Sequence, residues 1–427
     1  MFLSPFVIRL RSSDPSLWVN ILLLSGGFML VCLWYRRWQD LRIPFPRVGV
    51  TPVTFEMTLA DEPSVKGSFQ SFSYRNLQVS FAGGPRLHYG DHLKVTGLLQ
   101  AGSPFLSKAK VEVTKNQGYT GFKAKLLSFR GLLSRKIGVL FPEPEAALLK
   151  GMLLGIKVGL PDSFADDLRR TGTLHVVVAS GFNISLLAKF LTKISRFLGR
   201  TLSLMVTITG LLLYTLLTGA EPPVMRSFLM GVLVCYGDYL GRPSSLLRLL
   251  LVAAVVMVMV NPLLVEDLSF QLSFLATLAL LTIAPFLKGI IKYRYLEDFW
   301  SSLSAQALVW PLVAYRFKSV SFWSPLTNLS LLWSVEPAML LGFLSMVTPS
   351  FLRPLLFLTV SLALIPLTYF VKAASTLSSL PGSLLFVELS RTWLVLYYAT
   401  VFGLGLFIFL FKPSFRRFGS AASESKE

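Results

Sequence analysis

From residue 201 onward the chain is a near-continuous series of apolar runs, at 201–219, 223–241, 246–263, 268–287, 303–316, 323–348, 355–371 and 393–411. Runs of this length leave few folds open. About 20 apolar residues cross hydrocarbon as a helix, because a backbone in lipid must satisfy its own hydrogen bonds. Several runs are short or broken by proline, so eight to ten membrane helices are expected. Composition agrees: 53% of residues are hydrophobic, 15% are charged, and the mean hydropathy is +0.62, which excludes an ordinary soluble domain. Cys32 and Cys235 both lie in apolar runs, so no disulfide framework is indicated. The 41 Lys and Arg against 22 Asp and Glu leave a net charge of +19. Part of this excess is the usual loading of cytoplasmic loops, and the remainder suits an anionic partner such as phospholipid or nucleic acid.

The first third differs. Arg9 and Arg11 precede an apolar run from Leu17 to Tyr35, which Arg36 and Arg37 close. That run is long for a signal peptide and no small-residue cleavage site follows it, so it reads as an uncleaved anchor. Between residues 48 and 116 the period falls to two, at Val53, Phe55, Met57 and Leu59, then Leu77, Val79 and Phe81, then Leu93 and Val95, then Val111 and Val113. Turn signals at Asp61-Glu62-Pro63, Gly83-Gly84-Pro85 and Gly102-Ser103-Pro104 separate these runs. Short, evenly spaced strands predict a small β-barrel of OB-fold type. Phe69, Phe72, Tyr74, Arg75, Arg86 and Lys94 are the aromatic and basic material with which such a barrel binds single strands. The competing reading makes the aromatics core and the charges a solvated face. His88 and His92 are four apart, but Gly90-Asp91 between them, a strand-like context and the lack of a nearby Cys or third His argue against a metal site.

Residues 118–136 carry Lys123, Lys125, Arg130, Arg135 and Lys136, no acid, and a series of Leu and Phe. Such a basic amphipathic segment fits anionic lipid better than DNA. Pro144 and Glu145 then start a helix whose Lys150 and neighbouring Lys157 predict an interfacial position. A short polar helix from Asp162 to Arg170 is expected to end at Gly172. Asp166 and Asp167 read as salt-bridge partners of Arg169 and Arg170 rather than as a catalytic pair.

Thr171 to Ser185 reads T-G-T-L-H-V-V-V-A-S-G-F-N-I-S. On one ideal helix His175, Ala179, Ser180 and Asn183 fall within an arc of about 140°. The Ser180-Gly181 pair is a place where such a helix can bend. Further polar groups interrupt the later runs: Arg226 after Glu221, Gln271 with Ser273, Gln306 with Pro311, and Glu336-Pro337 after Asn328. Charged groups at membrane depth mark functional sites or buried pairs, here Arg226 with Glu336 or Glu221.

These residues resemble the ComEC competence-protein family of bacterial DNA-internalisation channels. The likeness rests on Arg169-Arg170-Thr-Gly-x-x-His175 with Ser180-Gly181, on Leu140 to Gly155, and on Gly159-Leu160-Pro161. Thr218-Gly219-Ala220-x-Pro222-x-x-x-Arg226, Asn261-Pro262, Phe270-Gln271-Leu272-Ser273-Phe274 and Leu380-Pro381-Gly382 add to it in order, with Gln306, Pro311 and Asn328. Two departures stand out. Asn183 occupies a position where the family usually has a second His, so no group titrates there. With three His in the whole chain, the metallo-β-lactamase-like domain of many relatives has no counterpart, and catalytic, metal and cofactor sites are all expected to be absent. Either a separate nuclease acts alongside, or the channel is reduced.

The expected fold is therefore a polytopic α-helical membrane protein with an inserted OB-fold-like β-barrel near its N-terminus. Its parts are an anchor (1–44), the β domain (45–117), basic and amphipathic interfacial helices (118–172), a transmembrane competence domain (173–412) and a polar tail (413–427). The resemblance implies a channel for single-stranded DNA in the bacterial cytoplasmic membrane, with His175, Ser180, Gly181, Asn183, Arg226, Gln271, Gln306 and Glu336 along its path. Phe72, Tyr74, Arg75, Arg86 and Lys94 would meet the strand in the β domain. No Walker A pattern occurs, so a separate cytoplasmic motor or DNA-binding protein would supply the pull. The alternatives are a small-solute permease, with Glu336 facing a compact cavity, and a structural subunit. Arg36, Arg37, Arg42 and Arg47 outnumber Arg9 and Arg11, which places the β domain in the cytoplasm by positive-inside counting, whereas the resemblance implies an external one.

Overall fold

A computed structural model describes residues 34–41, 50–59, 63–66, 69–74, 77–83, 87, 91–100, 105–115, 121–156, 159–177, 181–242, 245–290, 297–349 and 351–411. Most of the N-terminal anchor run lies outside this set. A helix described over residues 34–41 (α1) meets the bundle where Trp34 Nε1 donates to the carbonyl of Val258 at 2.9 Å.

The β domain contains β1 (Val50–Thr58), β2 (Ser64–Lys66), β3 (Phe69–Tyr74), β4 (Leu77–Ala82), β5 (His92–Gln100) and β6 (Phe105–Lys115). The sheet order is β1-β5-β6-β4-β3-β2, antiparallel throughout except where β4 and β6 run parallel. Two hairpins joined by that parallel contact make a mixed, OB-like sheet. The alternating residues predict its interior: Met57, Leu59, Leu77, Val79, Phe81, Leu93, Val95 and Val111 form one buried cluster. Breaks of register next to His92 and at Thr96–Leu98 bend β5 over this core.

The helical part runs through α2 (Gly121–Leu140), α3 (Glu145–Leu154), α4 (Asp162–Thr171), α5 (Leu174–Val177), α6 (Gly181–Ser195), α7 (Arg200–Leu217), α8 (Pro222–Tyr239) and α9 (Leu246–Val260). It continues with α10 (Leu268–Ile290), α11 (Glu297–Phe317), α12 (Ser324–Val347), α13 (Arg353–Ser378) and α14 (Arg391–Phe411). The eight apolar runs thus each become one helix. Among the described residues, four helices (α7, α10, α12 and α13) are long and apolar enough by themselves to cross a membrane. A two-residue ribbon of β7 (Ser319–Val320) and β8 (Leu385–Phe386) ties the α11–α12 connection to the α13–α14 connection.

The bundle's largest core forms around α3, which packs against α2, α5, α12 and α13. Every residue of α3 but Lys150 is buried, so protein encloses the helix that the lysines placed at the interface. Lys150 escapes by pairing with Glu143 at 3.1 Å. Local punctuation behaves as expected where Pro144 precedes α3 and Gly172 ends α4 in the left-handed region at φ 73°; Gly155, not expected as a helix end, closes α3 in the same way.

Candidate functional site

The signature residues divide into three polar junctions and one outward group. The first holds the end of α4 onto α11 and α12. Gly172 turns the chain so tightly against α12 that a Cβ there would lie 2.6 Å from Ser324 Oγ and 3.0 Å from Ser321 Cβ. The exposed carbonyls of the turn then find donors: Ser321 Oγ gives to Arg170 O, and Thr327 Oγ1 to Thr171 O, each at 2.6 Å. Gln306 Nε2 donates to Ser324 Oγ at 2.6 Å, and Asn328 Nδ2 to Ser302 Oγ at 2.7 Å. Gln306 and Asn328 therefore hold this joint together. Asp167, one turn earlier, accepts from Ser378 Oγ of α13, while Asp166 pairs with Arg169.

The second junction closes the C-terminal end of α3. Its last carbonyls lack helical partners, as at any helix end. Asn183 Nδ2 of α6 donates to one of them, Met152 O, at 2.7 Å, and Tyr214 Oη of α7 approaches it at 3.5 Å. Asn183 is 3% exposed, so its amide is a strut between helices.

The third junction is cationic. Arg226 of α8 donates from Nε to Ser273 Oγ of α10 at 2.7 Å and reaches Met230 Sδ from Nη1 at 3.7 Å. Gly181, the first residue of α6, faces this guanidinium: a Cβ there would lie 2.9 Å from Nη2 and would collide with Ser227 Oγ. Arg226 is half-buried and has no carboxylate partner among the described residues. The buried pair with Glu336 or Glu221 expected as its alternative is not formed. Gln271, two residues before Ser273 on α10, instead donates to Val265 O at 2.7 Å.

His175 stands apart from all three. Its Nδ1 donates to Gly172 O at 3.0 Å, and since a carbonyl only accepts, Nε2 is left as the free acceptor on an exposed side chain. Of the arc expected for Thr171–Ser185, α5 is described as far as Val177 and α6 from Gly181, and Ser180 lies outside the described residues. His175 and Asn183 occupy opposite environments. Glu336 is exposed midway along α12, away from Arg226.

In the β domain Phe72 and Tyr74 serve the interior, whereas Phe69 is exposed. Phe72 meets Phe81 edge-on at 6.4 Å, and Tyr74 stacks on Phe55 at 4.8 Å; both are partly buried against the core. Lys94 is exposed on β5 but sits in register between Glu56 on β1 and Glu112 on β6. The carboxyl of Glu112 is held below the usual range, mainly by its hydrogen bond and charge pairing with Lys110 and in part by Lys94. Arg75, Arg86 and His88 fall outside the described residues, and His92 Nδ1 contacts Thr58 Oγ1 at 2.9 Å.

The basic segment is likewise split. Lys136 Nζ donates to Met346 O and Thr348 O at 2.6 and 2.9 Å, closing the C-terminal end of α12, where a cation is favoured. Lys125 and Arg135 are exposed beside Phe122, Phe129, Leu132 and Val139 on the outer face of α2. Sequence reading missed Met152 O, Tyr214, Ser227 and Ser324. Only the glycines at 172 and 181 hinted that other elements approach closely there.

The Competence protein family matches residues 152–412. ComE operon protein 3 of Bacillus subtilis (strain 168) is 25% identical over 210 residues, covering 49% of this chain and 27% of that protein. The chain thus spans about a quarter of that relative's length. No solved structure matches the chain.

Proposed function

The chain belongs to the Competence protein family and is a multi-pass membrane protein, and on that premise we propose that it conducts single-stranded DNA across the bacterial cytoplasmic membrane during natural transformation. The observation that carries the reading is Arg226. A guanidinium held inside the bundle by a serine and a thioether, with no carboxylate partner among the described residues, is poorly compensated. A phosphate passing the α6–α8–α10 junction supplies the missing counter-charge, and guanidinium binds phosphate with strong, directed hydrogen bonds. Gly181 keeps the space beside Nη2 clear of a side chain. His175 offers a neutral acceptor on an exposed surface.

The remaining parts fit around this step. The OB-like domain guides the strand, although Phe72 and Tyr74 support its fold and Lys94 lies between two acids. The outer face of α2, with Lys125 and Arg135 among Phe122, Phe129 and Leu132, rests on anionic lipid. A nuclease and a cytoplasmic motor or DNA-binding protein are separate partners in this scheme. The chain acts as a transporter rather than as an enzyme. The permease alternative required an acid and a base facing one cavity, and the outward position of Glu336 on α12 removes its support.

The test is uptake of labelled DNA in a deletion strain complemented by this chain. Arg226→Ala and His175→Ala should lower uptake at least tenfold while membrane insertion stays normal, and Arg226→Lys should keep part of the activity. Normal transformation by both alanine variants would overturn the proposed path.

A further inference from the structure

We propose that the apolar cavity between α9, α10, α11 and α14 binds one anionic phospholipid of the bilayer, with its acyl chain in the cavity and its phosphate on Arg248. The site is independent of the DNA reading. The cavity measures about 460 Å³ and is walled by Leu251 and Ala254 of α9, Phe274 and Leu278 of α10, Leu312 of α11 and Phe402 of α14. That volume lies within the range of about 300–1,000 Å³ in which proteins enclose small ligands.

The kinked helix α11 explains why a gap lies there. Pro311 has no N–H, so the carbonyl of Ala307 four residues earlier lacks its helical donor. Tyr397 Oη of α14 donates to Ala307 O at 2.8 Å, and Tyr398 Oη to Leu308 O at 2.7 Å. These bonds fix α14 on α11 and leave the cavity between α14 and the α9–α10 pair. They also set the chemistry of its wall. The Tyr398 hydroxyl is spent on Leu308 O and the Gln271 amide N–H on Val265 O, and no charged side chain is among the described lining residues. A water held there would need roughly two to four polar partners, which this wall does not offer. A hydrocarbon chain needs none.

The end of α9 supplies the other half of the ligand's contacts. Every residue of α9 is apolar except Arg248, which lies in its first turn. Arg248 is exposed, α9 carries no acid, and no carboxylate pairs with this guanidinium among the described residues. Leu251 lies on the same face one turn further along, and Ala254 one turn beyond Leu251, about 4.5 and 9 Å from Arg248 at 1.5 Å per residue. A phospholipid has the same order, a phosphate at the interface followed by hydrocarbon beneath it. Guanidinium binds phosphate with directed, charge-assisted hydrogen bonds. An unpaired cation at the leaflet surface also selects lipids of net negative charge.

Native mass spectrometry of the purified full chain, titrated with phosphatidylglycerol or phosphatidylcholine, tests the proposal. One phosphatidylglycerol should be retained per chain in preference to phosphatidylcholine. Arg248→Gln should lower that preference about fivefold, as expected for one basic group. Ala254→Trp and Leu278→Trp, which fill the cavity, should each abolish retention, and Ile365→Trp, at a position 67% exposed on α13, should leave it intact. Unchanged retention in both cavity variants would overturn the site, and an unchanged preference in Arg248→Gln would overturn the phosphate contact. A second readout needs no cavity-filling variant: phosphatidylglycerol carrying a diazirine on its acyl chain should label peptides of α9, α10 and α14 in vesicles of that lipid. Labelling spread evenly over all the apolar helices would count against a discrete site. So would a disulfide between Ala254→Cys and Cys32, with Cys235 replaced by serine, because the chain's own N-terminal apolar run would then occupy the cavity.

Discussion

Asn183 offers the sharpest separation of a structural role from a place on the transport path. Its amide donates 2.7 Å to Met152 O, which terminates α3, the helix at the centre of the bundle core. Asn183→Ala removes that donor and leaves a buried carbonyl with only the 3.5 Å contact from Tyr214. An unsatisfied buried acceptor costs about 1–3 kcal/mol. Interhelical hydrogen bonds measured inside bilayers average nearer about 0.6 kcal/mol, because the unfolded chain in lipid also finds partners. Asn183 and Met152 are both sealed within protein, at 3% and 0% exposure, so the upper range applies. We expect a loss of about 2 kcal/mol, a factor of about 30 in the unfolding equilibrium. Detergent-to-SDS titration of the purified chain measures this directly. Asn183→His should recover most of it, since a ring N–H can donate to the same carbonyl. DNA uptake per folded molecule should be nearly unchanged in both variants. If Asn183→Ala keeps full stability but abolishes uptake, the strut reasoning is refuted and the amide belongs to the transport path.

Gly172→Ala should destabilise the chain by more than about 2 kcal/mol, combining the cost of a left-handed alanine with overpacking against Ser324; a titration giving less than about 1 kcal/mol would contradict the tight joint. At the β7–β8 ribbon, Glu388 is held below its ordinary range and Lys318 above its own by their mutual hydrogen bond and charge attraction. The carboxylate's contribution is present above the ordinary Glu range and is lost as pH falls through the lowered value; the lysine's is lost only as pH rises past its raised one. The protection of the Val387 amide, which donates to Lys318 O, measured as its exchange rate relative to the intrinsic rate at each pH, should therefore fall in acid, and high salt or Glu388→Gln should erase that dependence.

What the amino-acid order determined by itself is local. Alternation at Leu77, Val79 and Phe81 placed a strand face in the β-domain core, because a strand's side chains alternate whatever it packs against. The eight apolar runs became α7 to α14 with ends shifted by up to several residues, since lipid permits little else for such segments. Pro144 and Gly172 marked helix ends through backbone geometry alone. Tertiary structure decided what each polar residue meets. Asn183 bonds a carbonyl 31 positions away, and Arg226 a hydroxyl 47 positions away, distances over which periodicity carries no information. Within Thr171–Ser185 the environments also differ for a tertiary reason: Val177 packs onto Gly151, whose missing side chain makes room for it, and His175 is exposed while Asn183 is buried. Composition identified a membrane protein, and motif order pointed to its family. Which helix faces stayed exposed depended on how α3, α12 and α13 consumed the others, because a helix face acquires its environment only from the surface packed against it.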